Sequence, residues 1–357
     1  MLKIGVIGCG DIAGKNYLPT MHQPDHGVVL QAVCDAVPER AEDAARRFGA
    51  ARHYPDYRRM LEQADINQVV ILTPVFTHAA IARDCLHAGK HVYTEKPLAR
   101  TREEAQQLLD LALSKGLLLT AAPLLMVYHE YQYLRSLVQQ GAIGKVCFVR
   151  AHSSHGGPEL GEWATDSGDY YREEVVGKVP PVYDMAVYAL TTLTAVLGPV
   201  RRVAAISGTA IPERPIEKVT LPGFQPYTMR PTVHDNCLIL LEWPGACLGA
   251  IDASFCMRHQ KGPRFELYGS DGSLYMGWEG LEMATPSESW HKVDLPPGEP
   301  TQQRKWGEAL GRHLAECLAA GKQPAFGGKH AVHVVEVMEK ILASTQTGRM
   351  LDVTSTF

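Results

Sequence analysis

The chain has 357 residues, enough for two hydrophobic cores rather than one, and its 45% hydrophobic and 21% charged content is that of a globular protein. A net charge of −4 gives no basic footprint for nucleic acid, and no apolar run reaches the length of a membrane span. The eight cysteines form no C-x-x-C pair and no zinc-spaced cluster, and a strand beginning at Leu2 leaves no room for a signal peptide, so a reduced, cytoplasmic compartment without a metal site is expected.

Leu2–Ile7 reads as a buried strand that runs into Gly8-Cys9-Gly10-Asp11-Ile12-Ala13, with a helical pattern over Gly14–Met21. Gly-x-Gly-x-x-Ala between a strand and a helix is the dinucleotide fingerprint in the context it needs. Gly8 lets the chain turn tightly, Gly10 admits a pyrophosphate to the backbone, and Ala13 keeps the helix close to the sheet. The N–H groups around Asp11 and Ile12 then face the phosphates. A second strand, Val28–Cys34, ends at Asp35, where a carboxylate accepts hydrogen bonds from ribose and repels a 2′-phosphate. NAD is therefore expected in preference to NADP. Arg40, the nearest cation, falls in the helical pattern Pro38–Phe48 and is expected to face solvent.

Tyr57–Ala64 reads as a short helix, Gln68–Leu72 as an apolar strand stopping at Thr73-Pro74, and Thr77–Ala88 as an amphipathic helix carrying His78. His91–Thr94 is a strand leading into Glu95-Lys96-Pro97, Arg102–Ser114 a helix, and Leu117–Thr120 the next strand. This alternation predicts a Rossmann-type, doubly wound parallel sheet over residues 1–122. Thr73, Pro74, His78, Glu95 and Lys96 fall near strand ends, where open α/β sheets bind ligands, and join the glycines and Asp35 as expected cofactor contacts.

Beyond residue 123 the pattern changes. Tyr128–Gln140 and Asp184–Leu197 read as helices, Lys145–Ser153 as an alternating strand, and Val200–Ser207, Cys237–Trp243, Cys247–Ala253 and Phe265–Tyr268 as further strands. Ile211–Val233 reads as a long irregular loop, and Trp306–Ala320 and Ala331–Thr345 as closing helices. Residues 123–357 are thus expected to form an α+β domain with a mostly antiparallel, open sheet.

The glycine fingerprint, Thr73-Pro74, Glu95-Lys96-Pro97 and Asp184-Met185-Ala186-Val187-Tyr188 together resemble the glucose–fructose oxidoreductase / inositol dehydrogenase / MocA family across essentially the whole chain. The resemblance implies hydride transfer between a nicotinamide and a sugar, cyclitol or glycoside carbon, in a homodimer or homotetramer built on the open sheet. Lys96 matches the family lysine and Asp184 the family aspartate. Tyr188 stands where the family carries a histidine, Ala186 replaces a glycine, and the family arginine is missing from Ala121-Ala122-Pro123-Leu124-Leu125.

Alcohol oxidation needs a group that takes the hydroxyl proton within hydrogen-bond reach. On a regular helix Asp184 and Tyr188 share a face. Tyrosine is a poor base at its ordinary pKa near ~10, and a neighbouring ammonium favours the phenolate. Either Tyr188 or Lys96 is therefore expected to transfer the proton, with Asp184 orienting the substrate. His155, Trp163 and Tyr170 are expected to line the substrate site, the aromatics against a sugar face; simple packing is the competing reading for those rings. His152 and His155 invite a metal reading, but their spacing is unspecific. His234-Asp235-Asn236 is read as a turn. Two other functions share the scaffold. One is a NAD-dependent glycosidase that oxidises sugar C3 transiently and eliminates the leaving group. The other is a non-catalytic NAD or sugar sensor.

Overall fold

A computed structural model describes residues 1–160, 178–217, 224–259, 264–277, 279–295, 306–324 and 327–357. The chain divides into two compact units. The first is Met1–Leu124 with the described part of Gln302–Val335, and the second holds the rest of the described chain.

In the first unit, six strands form a parallel sheet: β1 (Leu2–Ile7), β2 (Val28–Cys34), β3 (Arg52–Tyr54), β4 (Gln68–Ile71), β5 (His91–Thr94) and β6 (Leu119–Ala121). Their order is β3-β2-β1-β4-β5-β6. The order reverses between β1 and β4, which opens a crevice at their carboxyl ends. Buried side chains run almost unbroken along β1, β2 and β4, as expected for strands covered on both faces.

The connections carry α1 (Leu18–Met21), α2 (Pro38–Phe48), α3 (Tyr57–Gln63), α4 (His78–His87) and α5 (Arg102–Ser114). A π-helical turn, Ala13–Tyr17, precedes α1. Helix α2 ends where Gly49 takes a left-handed φ of 76°. Thr101 caps α5 by accepting from the Glu104 N–H. α8 (Trp306–Ala320) belongs to this unit too: Leu310 and Leu314 pack into one core cluster with Tyr17, Leu18, Met21 and Val28. A single cut after residue 122 would separate α8 from the core it covers.

In the second unit, α6 (His129–Gln139) precedes β7 (Val146–His152). A π-helical turn, Val182–Ala186, runs into α7 (Val187–Leu197), followed by β8 (Arg202–Gly208), β9 (Arg214–Ile216), β10 (Tyr227–Met229), β11 (Asn236–Trp243) and β12 (Cys247–Ser254). Then come β13 (Phe265–Gly269), β14 (Ser273–Gly277), β15 (Gly280–Thr285) and β16 (Glu288–Lys292). α9 (Gly328–Thr347) begins in the first unit and runs on into the second, where the short β17 (Leu351–Asp352) follows it.

Among the described residues a nine-stranded sheet has the order β16-β15-β14-β13-β7-β12-β11-β8-β17. All its pairings are antiparallel except that of β7 with β12. Alternation along β11 buries Cys237, Ile239 and Leu241 and exposes Leu238 and Leu240. Ile206 on β8 stands opposite Leu238, and Leu248 on β12, opposite Glu242, falls on the same face by strand alternation; both are exposed. One face of this sheet is thus open and apolar. The segment read as an irregular loop, Ile211–Val233, contains the β9–β10 hairpin pair, whose three-residue strands are too short to show a period.

Candidate active site

In the first unit the residues expected to contact a dinucleotide gather at the carboxyl ends of β1, β2, β4 and β5. Gly8 has φ 97°, and a Cβ there would stand 2.7 Å from Leu72 O and 3.0 Å from Thr73 N. No other residue fits this turn. It lies at the β1/β4 switch point, where the Leu72 N–H also donates to Ile7 O at 2.8 Å. Gly10 and Asp11 follow, half-buried, and Ile12 packs against the core while Ala13 is fully buried under the sheet.

Asp35 is fixed at the end of β2. Its two carboxylate oxygens accept the N–H groups of Cys9 and Val37, each at 2.8 Å. Each oxygen has a second lone pair, so the carboxylate can still accept a hydroxyl. Arg40 is half-buried rather than solvent-facing, within electrostatic reach of the Cys9 thiol. Burial, helped by the Asp35 charge, raises that thiol's pKa, and burial raises Cys34 to about 12. Both thiols are protonated, inert packing groups at neutral pH. The glycine turn that leaves no room for a Cβ and the anchored acceptor beside it fit NAD. Bound NAD supplies a hydride acceptor.

The residues at the ends of β4 and β5 form an internal brace. His78 is buried, with Nε2 2.7 Å from Thr73 O and Nδ1 2.8 Å from Pro97 O. Burial lowers its pKa, against the pull of the two carbonyls. Each ring nitrogen thus faces a main-chain carbonyl, and the one that carries the proton donates to it. Pro74 O accepts the Thr77 hydroxyl at 2.8 Å, and that hydroxyl also meets Thr73 Oγ1 at 2.8 Å. Glu95 is buried too. Its Oε1 accepts from the Tyr17 hydroxyl at 2.6 Å and its Oε2 from the Lys96 N–H at 2.9 Å. The Tyr17 hydroxyl also meets that of Tyr93 at 2.7 Å. Burial first, then the Glu95 charge, holds the Tyr17 phenol far above its ordinary pKa. Lys96 is therefore clamped from both sides: the Glu95 carboxylate accepts the Lys96 N–H, and the His78 ring meets the carbonyl of the next residue, Pro97. The sequence gives no sign of Tyr17, because it meets Glu95 from 78 residues away.

In the second unit Asp184 lies in the Val182–Ala186 π-turn, and Tyr188 in the first turn of α7, both half-buried. The wider hydrogen-bond register of a π-turn means that these residues do not follow the spacing of a regular helix, and such turns concentrate at functional sites. His155 Nε2 is 3.8 Å from Asp184 Oδ2, and its ring stacks on Phe255 with centroids 4.8 Å apart. His152 ends β7 and pairs with Asp252 of the neighbouring β12, which also accepts from the Ser154 hydroxyl. The Ser153 hydroxyl donates to Met185 O in the π-turn. Among the described residues no group of His, Cys, Asp and Glu is placed to hold a metal. Trp163 and Tyr170 lie outside the described residues.

Asp235, from the expected turn, is buried. It accepts the N–H groups of Ala210 and Ile211 at 2.7 and 2.9 Å and Arg214 Nη2 at 2.7 Å. Burial alone would raise its pKa, but these donors outweigh it and hold it below the ordinary carboxylate value. Arg214, fully buried, gives its Nη1 to both oxygens of Glu159 at 2.8 and 2.7 Å.

Comparison with known proteins accords with this architecture. Residues 2–122 match the profile described as "Oxidoreductase family, NAD-binding Rossmann fold", and residues 131–275 match the "GFO/IDH/MocA C-terminal domain". Levoglucosan dehydrogenase of Pseudarthrobacter phenanthrenivorans is 28% identical over 334 residues, 85% of this chain and 83% of that protein. The dTDP-3,4-didehydro-2,6-dideoxy-α-D-glucose 3-reductase of Streptomyces violaceoruber is 33% identical over 273 residues, 76% and 72% of the two chains. The solved structure of a levoglucosan dehydrogenase in complex with NADH and levoglucosan superposes with a TM-score of 0.82 at 23% identity, covering 99% of this chain and 100% of that one, which establishes the shared fold. Among the described residues no helix is long and apolar enough to cross a membrane. With a Rossmann sheet in the 3-2-1-4-5-6 order, a glycine turn at its switch point and profile matches over most of its length, the chain belongs to the Gfo/Idh/MocA oxidoreductases, whose amino-terminal domain binds NAD.

Proposed function

We propose that the protein transfers a hydride between NAD and a carbon bearing a hydroxyl or ketone on a sugar, cyclitol or glycoside. The observation that carries this reading is the clamped Lys96 at the end of β5, on the same sheet edge as the Gly8 turn and Asp35. An open α/β sheet places reacting groups at this edge. The sugar-acting relatives support the substrate class. In the oxidative direction the substrate loses a hydride from carbon and a proton from oxygen, leaving a ketone. Lys96 and Tyr188 are the proton-transfer groups, and Asp184 orients the substrate through its hydroxyls. His155, which faces Asp184, lines the same substrate site. The reductive direction uses the same groups with Tyr188 donating the proton.

The test is a screen of sugars, anhydrosugars and cyclitols for NADH formation, with keto-sugars and NADH in reverse. Lys96→Met and Tyr188→Phe should each lower kcat by roughly 10²- to 10⁴-fold, the ordinary worth of a positioned proton-transfer group, while NAD affinity stays within a few-fold. Aglycone release without net NADH would replace this reading by the glycosidase. No turnover in either direction would leave the sensor.

We further propose a homodimer or homotetramer assembled on the open sheet face. The exposed row of Ile206, Leu238, Leu240 and Leu248 supports it.

A further inference from the structure

His155 lies just beyond β7, and its main chain is fixed on both sides. Its N–H donates to Ser254 O at 2.9 Å and its carbonyl accepts from the Met257 N–H at 3.1 Å. Its ring is fixed as well. Nδ1 accepts the Gly157 N–H at 2.9 Å, and one face stacks on Phe255. A ring nitrogen that accepts cannot carry the proton, so the neutral imidazole is the Nε2–H tautomer. Nε2 is the atom that faces Asp184 Oδ2 at 3.8 Å.

Gly157, which sets this tautomer, is pinned in turn. Its φ is 100°, and a Cβ there would collide with Arg214 Nη1 and stand 2.5 Å from Glu159 Oε2 and 2.7 Å from Phe255 O. The guanidinium of Arg214 is fully buried and held by Glu159, Asp235 and Phe255 O. Arg258 adds a second cation on Glu159 at 3.1 Å. A buried ion pair is weak evidence for stability, because desolvation offsets most of its attraction. Here it packs against Gly157 and leaves no room for a side chain beside the N–H that reaches His155.

We infer that His155 is a positioning residue for Asp184, locked as the Nε2–H tautomer by Gly157, which the buried Arg214–Glu159 pair holds in place. The inference rests on the reading of Asp184 as the residue that orients substrate. With Nδ1 filled and Nε2 protonated, the ring offers no lone pair for a substrate proton. It presents a donor to the carboxylate and leaves proton transfer to Lys96 and Tyr188. At 3.8 Å the contact is longer than a direct hydrogen bond, and a water or a substrate hydroxyl spans such a gap.

The experiment is ¹⁵N NMR of the histidine-labelled full chain without ligand, the His155 signals being assigned by their loss in His155→Gln. The expected result is a pyridine-like Nδ1 and a pyrrole-like Nε2, with the Nε2 shift moving in Asp184→Asn. A reversed tautomer, averaged shifts, or indifference to Asp184→Asn overturns the inference. Gly157→Ala should unlock the ring and average the two shifts; a retained lock overturns the part given to Gly157. In the kinetic arm, His155→Phe keeps the stack but loses the donor. It should lower kcat by roughly 10- to 100-fold, as a displaced orienting group does, with unchanged NAD affinity and partial recovery in His155→Gln. An unchanged kcat overturns the inference. If the wild type turns over no sugar or cyclitol, the proposed function fails while the spectroscopic arm still decides the tautomer and its coupling to Asp184.

Discussion

Each residue of the proposed dinucleotide seat answers to one local demand. Gly8 must turn at positive φ against Leu72 O, so Gly8→Ala should lower NAD affinity more than 10-fold, measured by NADH fluorescence titration. Such demands are readable from sequence because the motif and its strand adjoin. Asp35 and Lys96 are legible for the same reason, each closing a recognisable strand. Tyr17, His78 and Arg214 are not, because their partners lie far along the chain or are backbone atoms that any sequence supplies. Glu95 was readable as part of Glu95-Lys96-Pro97, but both its oxygens hold the protein itself. Tyr17→Phe leaves one of these buried oxygens short of a donor. It should cost about 1–3 kcal/mol of stability, measured by urea unfolding, and lower kcat more than NAD affinity.

Elements with a clear period were legible almost to the residue, β2, α2 and α5 among them. β3 and the ribbon β14–β16 were not, being short or largely polar and half-exposed. The two π-turns also escaped, since side-chain periodicity does not record which carbonyl an N–H reaches. Strand β5 carries a pH dependence. His91 Nδ1 accepts the Leu118 N–H at 2.9 Å, and burial lowers the imidazole's pKa. The unfolded chain takes up its proton near pH ~6.5, before the folded chain does. Stability from this group is therefore complete above that pH and is lost as pH falls through the lower folded value. The melting temperature should drop between about pH 7.5 and about pH 5, and His91→Asn should flatten part of that slope.

For the whole molecule, the run of strand-like segments after residue 123 predicted a mostly antiparallel second sheet, and the structure has it, with β7–β12 as the parallel exception. The open apolar face bears on assembly. Leu240→Arg combined with Ile206→Glu places charge in the centre of that row and should shift the protein to a monomer by light scattering, with the circular dichroism spectrum retained. An unchanged mass would remove this face from the assembly.

Helix α8 was predictable as a helix, but not as a lid on the amino-terminal core, because nothing in its own sequence names its partner. Gly307 sits so close to Tyr17 O that a Cβ would collide with it, and Leu310 and Leu314 seal Met21 and Val28. On the ribosome, the first unit therefore emerges long before its last wall is made. Until translation reaches residue 320, a nascent chain carries a finished parallel sheet with one greasy flank uncovered, and chaperones should find it there.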